Sequence, residues 1–217
     1  MNKISRKKYE RRHIRRDPVQ EMHHKRALEH IRAHQIIDND AMATSPSSME
    51  ATHGRSPIGL PCIYPQFEIG DRCFSLFISA CSLGVIAHFI KEDSPINGDD
   101  IAQYLENKLK PMLMDDSFGL WDNAKVHKTQ RTLLALESTF RGRYMFAAPY
   151  SPHLKPVKRI FILIRNYLKD NEELALANPV VALNNAVQLY SINGPEGYKC
   201  QEFFAFYDIN YDIAHLI

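Results

Sequence analysis

The chain has 217 residues and a mass of 25.0 kDa, with 45% hydrophobic residues, 24% charged residues and a formal net charge of +2. This length and composition are enough for one substantial core, and they exclude a mainly disordered protein. The net charge conceals an asymmetry, because residues 1–34 hold eleven Lys and Arg against four acidic residues. The rest of the chain is acidic, with a net charge of −5 from 16 basic and 21 acidic residues.

The first residues form a basic arm. Its cations are dense enough to neutralise several phosphates, which predicts salt-dependent contact with nucleic acid. The residues to which we assign this contact are Arg6, Lys7, Lys8, Arg11, Arg12, Arg15 and Arg16. Solvated tails and nuclear targeting segments have the same composition, so these alternatives remain open.

The cysteines and the hydropathy pattern bear on the compartment. Cys62, Cys73, Cys81 and Cys200 have no Cys-x-x-Cys spacing, and no secretory segment precedes them, which favours a reduced intracellular protein. We expect a nuclear location in a eukaryote and a cytoplasmic one otherwise. No apolar stretch approaches the roughly 18 uninterrupted residues that a membrane span requires, so we expect no membrane partner.

The first part of the chain predicts one helix and three strands. Asp17 and Pro18 open a helix to about Ala33, and residues 35–38 form a short strand that brings Asp38 to its carboxyl end. Residues 40–66 are predicted to be irregular, with a short strand near residues 62–64. Residues 72–82 and 85–91 then form a hairpin at the centre of the sheet.

The second part alternates helices with strands. Strands are predicted at 118–121 and 143–148, and helices at 99–114, 129–140, 156–169, 179–190 and 198–207, the last one loosely attached. This order predicts an α/β domain with a mixed central sheet flanked by helices. We divide the chain into a basic arm with its helix (1–34), the α/β domain (35–175) and a helical extension of it (176–217).

Two aspartates follow predicted strands, Asp38 after the first and Asp122 after the strand at 118–121. Carboxylates at the ends of neighbouring strands lie where ligands usually bind, and they suit Mg²⁺, which prefers oxygen ligands. Phosphodiester cleavage is the reaction that such a pair favours. Each aspartate can instead simply cap the helix that follows it.

Two longer motifs carry a resemblance to a known family. Residues 119–128, GLWDNAKVHK, are followed at 148–161 by APYSPHLKPVKRIF. These segments resemble the catalytic domain of mariner-type DDE transposases, and residues 36–59 resemble that family's first-strand segment. Residues 4–18 are similar to the linker after its DNA-binding helices, so the resemblance covers nearly the whole chain but not the terminal-repeat recognition helices.

The resemblance implies an RNase H-like fold, DNA as the partner, a possible homo-oligomer, and Mg²⁺ or Mn²⁺ as the cofactor. It also implies Asp38 and Asp122 as metal ligands and Lys158 in the catalytic position that is a glutamate in the family. A lysine opposes the two-metal mechanism of DNA cutting, so we predict doubtful metal binding and impaired cleavage.

Two further positions depart from the family pattern. Asn39 stands where the family has an acidic residue, and Lys155 stands where it has an asparagine. With Lys155, Lys158 and Arg159, the start of the predicted helix holds a basic cluster. Cations there are unfavourable with the helix dipole, and we expect Asp38 and Asp122 to neutralise them. Contact with a DNA phosphate is the alternative.

The remaining motif residues have structural interpretations. His127 matches the family motif and is predicted to be a buried structural histidine, although it can also orient the site or a phosphate. Tyr150, Ser151 and Pro152 predict a tight turn that aims the next helix. His23, His24 and Cys62 lack zinc spacing.

Three functions are consistent with the sequence. The first is a DDE transposase-like domain that cuts DNA poorly or not at all. The second is an active nuclease that uses Asp38, Asp122 and a substrate phosphate as metal ligands. The third is a non-catalytic nucleic-acid or protein interaction module built on the same fold.

Overall fold

The structure is a computed structural model, and it describes residues 17–45, 56–61 and 72–214. The predicted basic arm and the predicted strand near residues 62–64 lie outside these ranges. In the part of the chain that the structure describes, no helix has the length and apolar character needed to cross a membrane.

A five-stranded mixed sheet forms the centre of the molecule. Its strands are β1 (Ile36–Thr44), β2 (Phe74–Cys81), β3 (Gly84–Glu92), β4 (Phe118–Trp121) and β5 (Tyr144–Phe146), in the order β3-β2-β1-β4-β5. β2 is antiparallel to both β1 and β3, whereas β4 is parallel to β1 and β5. The mixed sheet is confirmed, but β1 is the central strand and the predicted hairpin lies at one edge.

β1 is longer than the sequence predicted. Residues 40–44, which were expected to be irregular, continue the strand because Asp38–Thr44 pair with Phe74–Ala80 of β2. Pairing with a buried neighbour overrides the weak strand propensity of a segment rich in Asp, Asn and Ala. Asp38 is therefore the third of nine residues in β1, and the prediction that it ends the strand is wrong.

Seven helices accompany the sheet in the described ranges. They are α1 (Pro18–Leu28), α2 (Gly98–Tyr104), α3 (Gln130–Phe140), α4 (Val157–Asp170), α5 (Glu172–Ala177), α6 (Pro179–Leu189) and α7 (Lys199–Ala214). α2 continues as a wider π turn at Leu105–Leu109 and a 3-10 turn at Lys110–Met112. α1 ends earlier than predicted, and α5 was not predicted.

The helices cover both faces of the sheet because successive strand side chains point to opposite sides. Phe77 of β2 packs with α2 and α3, whereas Leu76 and Ile78 pack with α4, α6 and α7. The prediction that the last helix, α7, is loosely attached is wrong. Phe204 is fully buried, and the Tyr207 hydroxyl donates to the carbonyl of Leu154 at 2.6 Å. The C-terminal helices thus share one core with the sheet.

α4 is the helix that carries the predicted basic cluster. Its buried residues Val157, Ile160, Phe161, Ile164 and Leu168 recur at helical spacing and face the sheet. This packing fixes the first turn of α4, which contains Lys158, against the middle of β1.

Candidate active site

Two parallel strands and the first turn of α4 bring the predicted site residues together. Asp38 of β1 is opposite Leu120 of β4, and Asp122 directly follows β4 as predicted. Continuing this register places Asp40, rather than Asp38, level with Asp122. Asp38 and Asp40 share one face of β1, since side chains two residues apart on a strand point the same way.

Asp38 is completely buried, and both of its carboxylate oxygens have partners. Oδ1 lies 2.9 Å from Nζ of Lys155, and Oδ2 accepts the backbone N–H of Val157 at 2.9 Å. Burial raises the pKa of Asp38 to about 6, although Lys155 and the N–H of Val157 oppose this rise. The second contact places the carboxylate at the N-terminus of α4, where the helix dipole stabilises negative charge.

Lys155 is buried beside Asp38 and contacts three oxygens of β1. Its Nζ donates to the backbone carbonyl of Asn39 at 2.7 Å and lies 2.9 Å from Asp38 and 3.7 Å from Asp40. Burial acts to lower the pKa of Lys155, but the carboxylates of Asp38 and Asp40 outweigh it and the pKa is raised. The ammonium group thus donates a hydrogen bond to the backbone of β1 and forms ion pairs with two of its carboxylates.

Lys158 pairs with the second aspartate of β1. Its Nζ lies 2.6 Å from Oδ2 of Asp40, whose side chain is 3% exposed, whereas the side chain of Lys158 is 39% exposed. Sequence reasoning missed Asp40. The alternation of Asp38 and Asp40 would have indicated it, had the strand been extended beyond Asp38.

Asp122 makes a different set of contacts. Its Oδ1 accepts the N–H of Ala124 at 2.9 Å and lies 2.5 Å from Nδ1 of His127. Partial burial acts to raise the pKa of Asp122, but His127 and the N–H of Ala124 outweigh it, so the pKa lies below its ordinary value. The prediction that Asp38 neutralises the basic cluster is confirmed by its ion pair with Lys155. Lys158 pairs with Asp40 and not with Asp122, which was the predicted partner.

His127 is 2% exposed and packs against aromatic rings, as predicted for a structural histidine. Its ring lies 5.2 Å from that of Trp121 and 6.1 Å from that of Phe77, both measured between centroids. This packing fixes the imidazole, which in turn fixes the carboxylate of Asp122 at the mouth of the site.

A small cleft opens beside these residues. It has a volume of about 190 Å³ and is lined by the residues that follow β4 and β5 together with the two lysines: Asp122, Asn123, Ala147, Ala148, Pro149, Tyr150, Ser151, Pro152, Lys155 and Lys158. Asp38 and Asp40, which pair with these lysines, are not among the lining residues.

The predicted turn at residues 150–152 forms one wall of the cleft. Tyr150 adopts a left-handed backbone conformation with φ 56°, and Ser151 Oγ donates to the buried carboxylate of Glu21 at 2.5 Å. Glu21 belongs to α1, so this helix supports the turn from behind. The predicted role of the turn in directing α4 fits this arrangement.

These residues do not fit a divalent metal ion. Across residues 17–45, 56–61 and 72–214, no group of three or more His, Cys, Asp or Glu side chains is arranged to hold one. Both oxygens of Asp38 already have a contact, and position 158, to which the resemblance assigns the third ligand, is a lysine. A metal would have to compete with two ammonium groups for the same carboxylates.

No protein-family model matches the chain, and no curated protein matches it. Solved structures do. The paired-end complex of the Mos1 mariner transposase with Mn superposes with a TM-score of 0.61 at 16% identity, covering 98% of this chain and 67% of the transposase. The Mos1 strand transfer complex gives a TM-score of 0.60 at 17% identity, covering 98% and 66%.

The Mos1 catalytic domain alone gives a TM-score of 0.56 at 16% identity, covering 90% of this chain and 92% of that domain. The chain has the fold of a mariner transposase catalytic domain. The predicted RNase H-like fold and the resemblance on which it rested are thereby confirmed. The chain spans about two thirds of the length of the transposases in the DNA complexes.

Proposed function

We propose that this chain is a transposase-like domain that binds DNA and cuts it poorly or not at all. One observation carries the proposal. Lys158, in the position of the third acid, pairs with Asp40 at 2.6 Å, so a cation stands where the fold's enzymes would place a metal ligand. Asp38 and Asp122 are the proposed remnants of the other two ligands.

Metal-dependent cleavage is disfavoured by charge as well as by ligand number. A unit positive charge about 4 Å from a divalent ion costs roughly 8 kcal/mol at an effective dielectric of 20, before relaxation. Here two lysines contact the carboxylates. An active nuclease that relies on Asp38 and Asp122 is disfavoured for the same reason, because Asp38 is buried behind Lys155.

DNA binding is supported by two features. The neighbouring structures include Mos1 complexes with transposon ends, and the cleft of this chain is bordered by Lys158. The basic arm adds Arg11, Arg12, Arg15 and Arg16, whose contribution is proposed from the sequence alone.

Strand nicking tests the loss of cleavage. The protein is incubated with supercoiled plasmid and Mg²⁺ or Mn²⁺, and relaxed product is measured over time. We expect no product above that of the Asp122→Ala variant. Metal-dependent nicking that disappears in Asp122→Ala would show that the site is active.

Fluorescence anisotropy with a labelled duplex tests DNA binding. We expect affinity that falls steeply with salt, because released counterions drive the binding, and a shallower slope when Arg11, Arg12, Arg15 and Arg16 are changed to Gln. Asp122→Ala is the matched control and should bind like the unmodified protein. Binding that ignores salt and the arm would contradict this part of the proposal.

A further inference from the structure

Lys155 has the environment of a bound cation. Its ammonium group is buried and surrounded by Asp38 Oδ1 at 2.9 Å, the carbonyl oxygen of Asn39 at 2.7 Å and Asp40 Oδ2 at 3.7 Å. Carboxylate and carbonyl oxygens are also the ligands that hard divalent cations prefer. The side chain thus places one positive charge among the oxygens that β1 directs toward the site.

Lys158 differs from Lys155 in both burial and contacts. It is 39% exposed and pairs with one carboxylate, that of Asp40. Its Nζ also lies over the ring of Phe161, 5.8 Å from the ring centroid. Removing Lys158 would therefore leave the ammonium group of Lys155 in place beside Asp38.

We propose that Lys155 is a built-in counter-ion that excludes divalent metal from the carboxylates of β1, and that Lys158 is secondary. The inference rests on the proposed function, since it explains which lysine prevents metal binding. Its consequence is that restoring an acid at position 158 is not sufficient. Metal binding returns only when Lys155 is replaced as well.

The geometry supports this order of importance. A metal bound to Asp38 would lie about 2.1 Å from a carboxylate oxygen, and Oδ1 already has the Lys155 nitrogen at 2.9 Å. The two cations would overlap in space or repel at close range. The N–H of Val157 already donates to the other oxygen, so a metal would have to approach a carboxylate with a contact on each oxygen.

Mn²⁺ titration followed by electron paramagnetic resonance of the free ion tests the proposal. Four proteins are compared: the unmodified chain, Lys158→Glu, Lys155→Asn and the double variant. We expect the double variant to bind Mn²⁺ at least about tenfold more tightly than Lys158→Glu, since about 1.4 kcal/mol of recovered binding energy gives that factor. Adding Asp122→Asn to the double variant should reverse the gain.

A charge control separates the position of Lys155 from its charge. Lys125→Asn combined with Lys158→Glu has the same net charge as the double variant, but Lys125 is exposed and does not line the cleft. We expect this protein to bind Mn²⁺ no better than Lys158→Glu alone. Equal affinity in the control and the double variant would overturn the proposal.

Folding is followed by circular dichroism, because Lys155→Asn can destabilise the chain. Mn²⁺ should raise the melting temperature of the double variant and leave that of Lys158→Glu unchanged. If the variants at position 155 do not fold, Lys158→Glu decides alone, since tight Mn²⁺ binding by that protein would refute the inference.

The two proposals fail in different ways. Absence of DNA binding by the unmodified chain would contradict the proposed function and leave the order of metal affinities intact. Tight binding of Mn²⁺ by Lys158→Glu would contradict the role of Lys155, while the unmodified chain would still be unable to nick DNA.

Discussion

Replacing Lys155 with Met should destabilise the domain strongly. The substitution keeps most of the aliphatic volume but removes the ammonium group that contacts Asp38, whose side chain is completely buried. Breaking a buried ion pair from one side leaves an uncompensated charge, which typically costs about 3–5 kcal/mol. For a domain of this size each kcal/mol lowers the melting temperature by about 2–4 °C.

Lys158→Met is the matched control for this prediction. It removes the same charge three residues further along the chain, in the first turn of α4, but Lys158 is 39% exposed and Asp40 keeps Lys155 nearby. Solvent screening reduces the value of such a pair to about 1 kcal/mol or less. Urea unfolding at pH 7 should therefore separate the two variants by at least about 2 kcal/mol.

The pH dependence gives a second criterion. Burial already raises the pKa of Asp38 to about 6 with Lys155 present, and loss of the lysine should raise it further. A carboxyl whose pKa is raised in the folded state destabilises the fold as the pH rises above its unfolded-state pKa. The loss of unfolding free energy in Lys155→Met should therefore be largest at neutral pH. It should shrink toward pH 5. A small deficit, or one independent of pH, would refute the assignment of Lys155 as the counter-ion.

Two further predictions concern β4 and the aspartate that follows it. Gly119→Ala should lower the free energy of unfolding by about 1–3 kcal/mol, because a Cβ there would lie 2.9 Å from the ring of Phe140. An unchanged melting temperature would contradict this tight packing. The Asp122→Asn variant should lose less stability than the unmodified chain as the pH falls below about 4. The reason is that the pKa of Asp122 is lowered in the folded state, so its carboxylate stabilises the fold above the unfolded-state pKa and this contribution disappears as the pH falls. Acid unfolding that matches the unmodified chain would contradict the contact with His127.

The sequence predicted the second half of the domain better than the first. β4, α3 and α4 have the expected positions because strongly apolar segments at clear periodicity border them, and the motifs around Asp122 and Lys158 extend over those elements. β1 was predicted too short because its pairing with β2 depends on residues distant in the chain. A segment such as DNDAMAT has little local strand signal.

The error in β1 also explains why the site was only partly predicted. Placing Asp38 at a strand end hid Asp40, which lies two residues further along the same face and receives Lys158. The internal ion pairs were predicted from the unfavourable position of lysines at a helix N-terminus. The sequence could not predict that Asp40 pairs with Lys158 in place of Asp122, since this depends on the register of β1 against β4.

Under the proposed function, the ion pairs explain how this fold is stable without a bound metal. Clustered carboxylates repel one another when no cation is present, and burial adds a desolvation cost. In this chain the ammonium groups of Lys155 and Lys158 provide the positive charge, at 2.9 Å from Asp38 and 2.6 Å from Asp40 respectively. The lysines that we propose to oppose metal binding thus also stabilise the junction between β1 and the start of α4. Restoring the metal site should therefore require replacing Lys155, with the loss of stability that this entails.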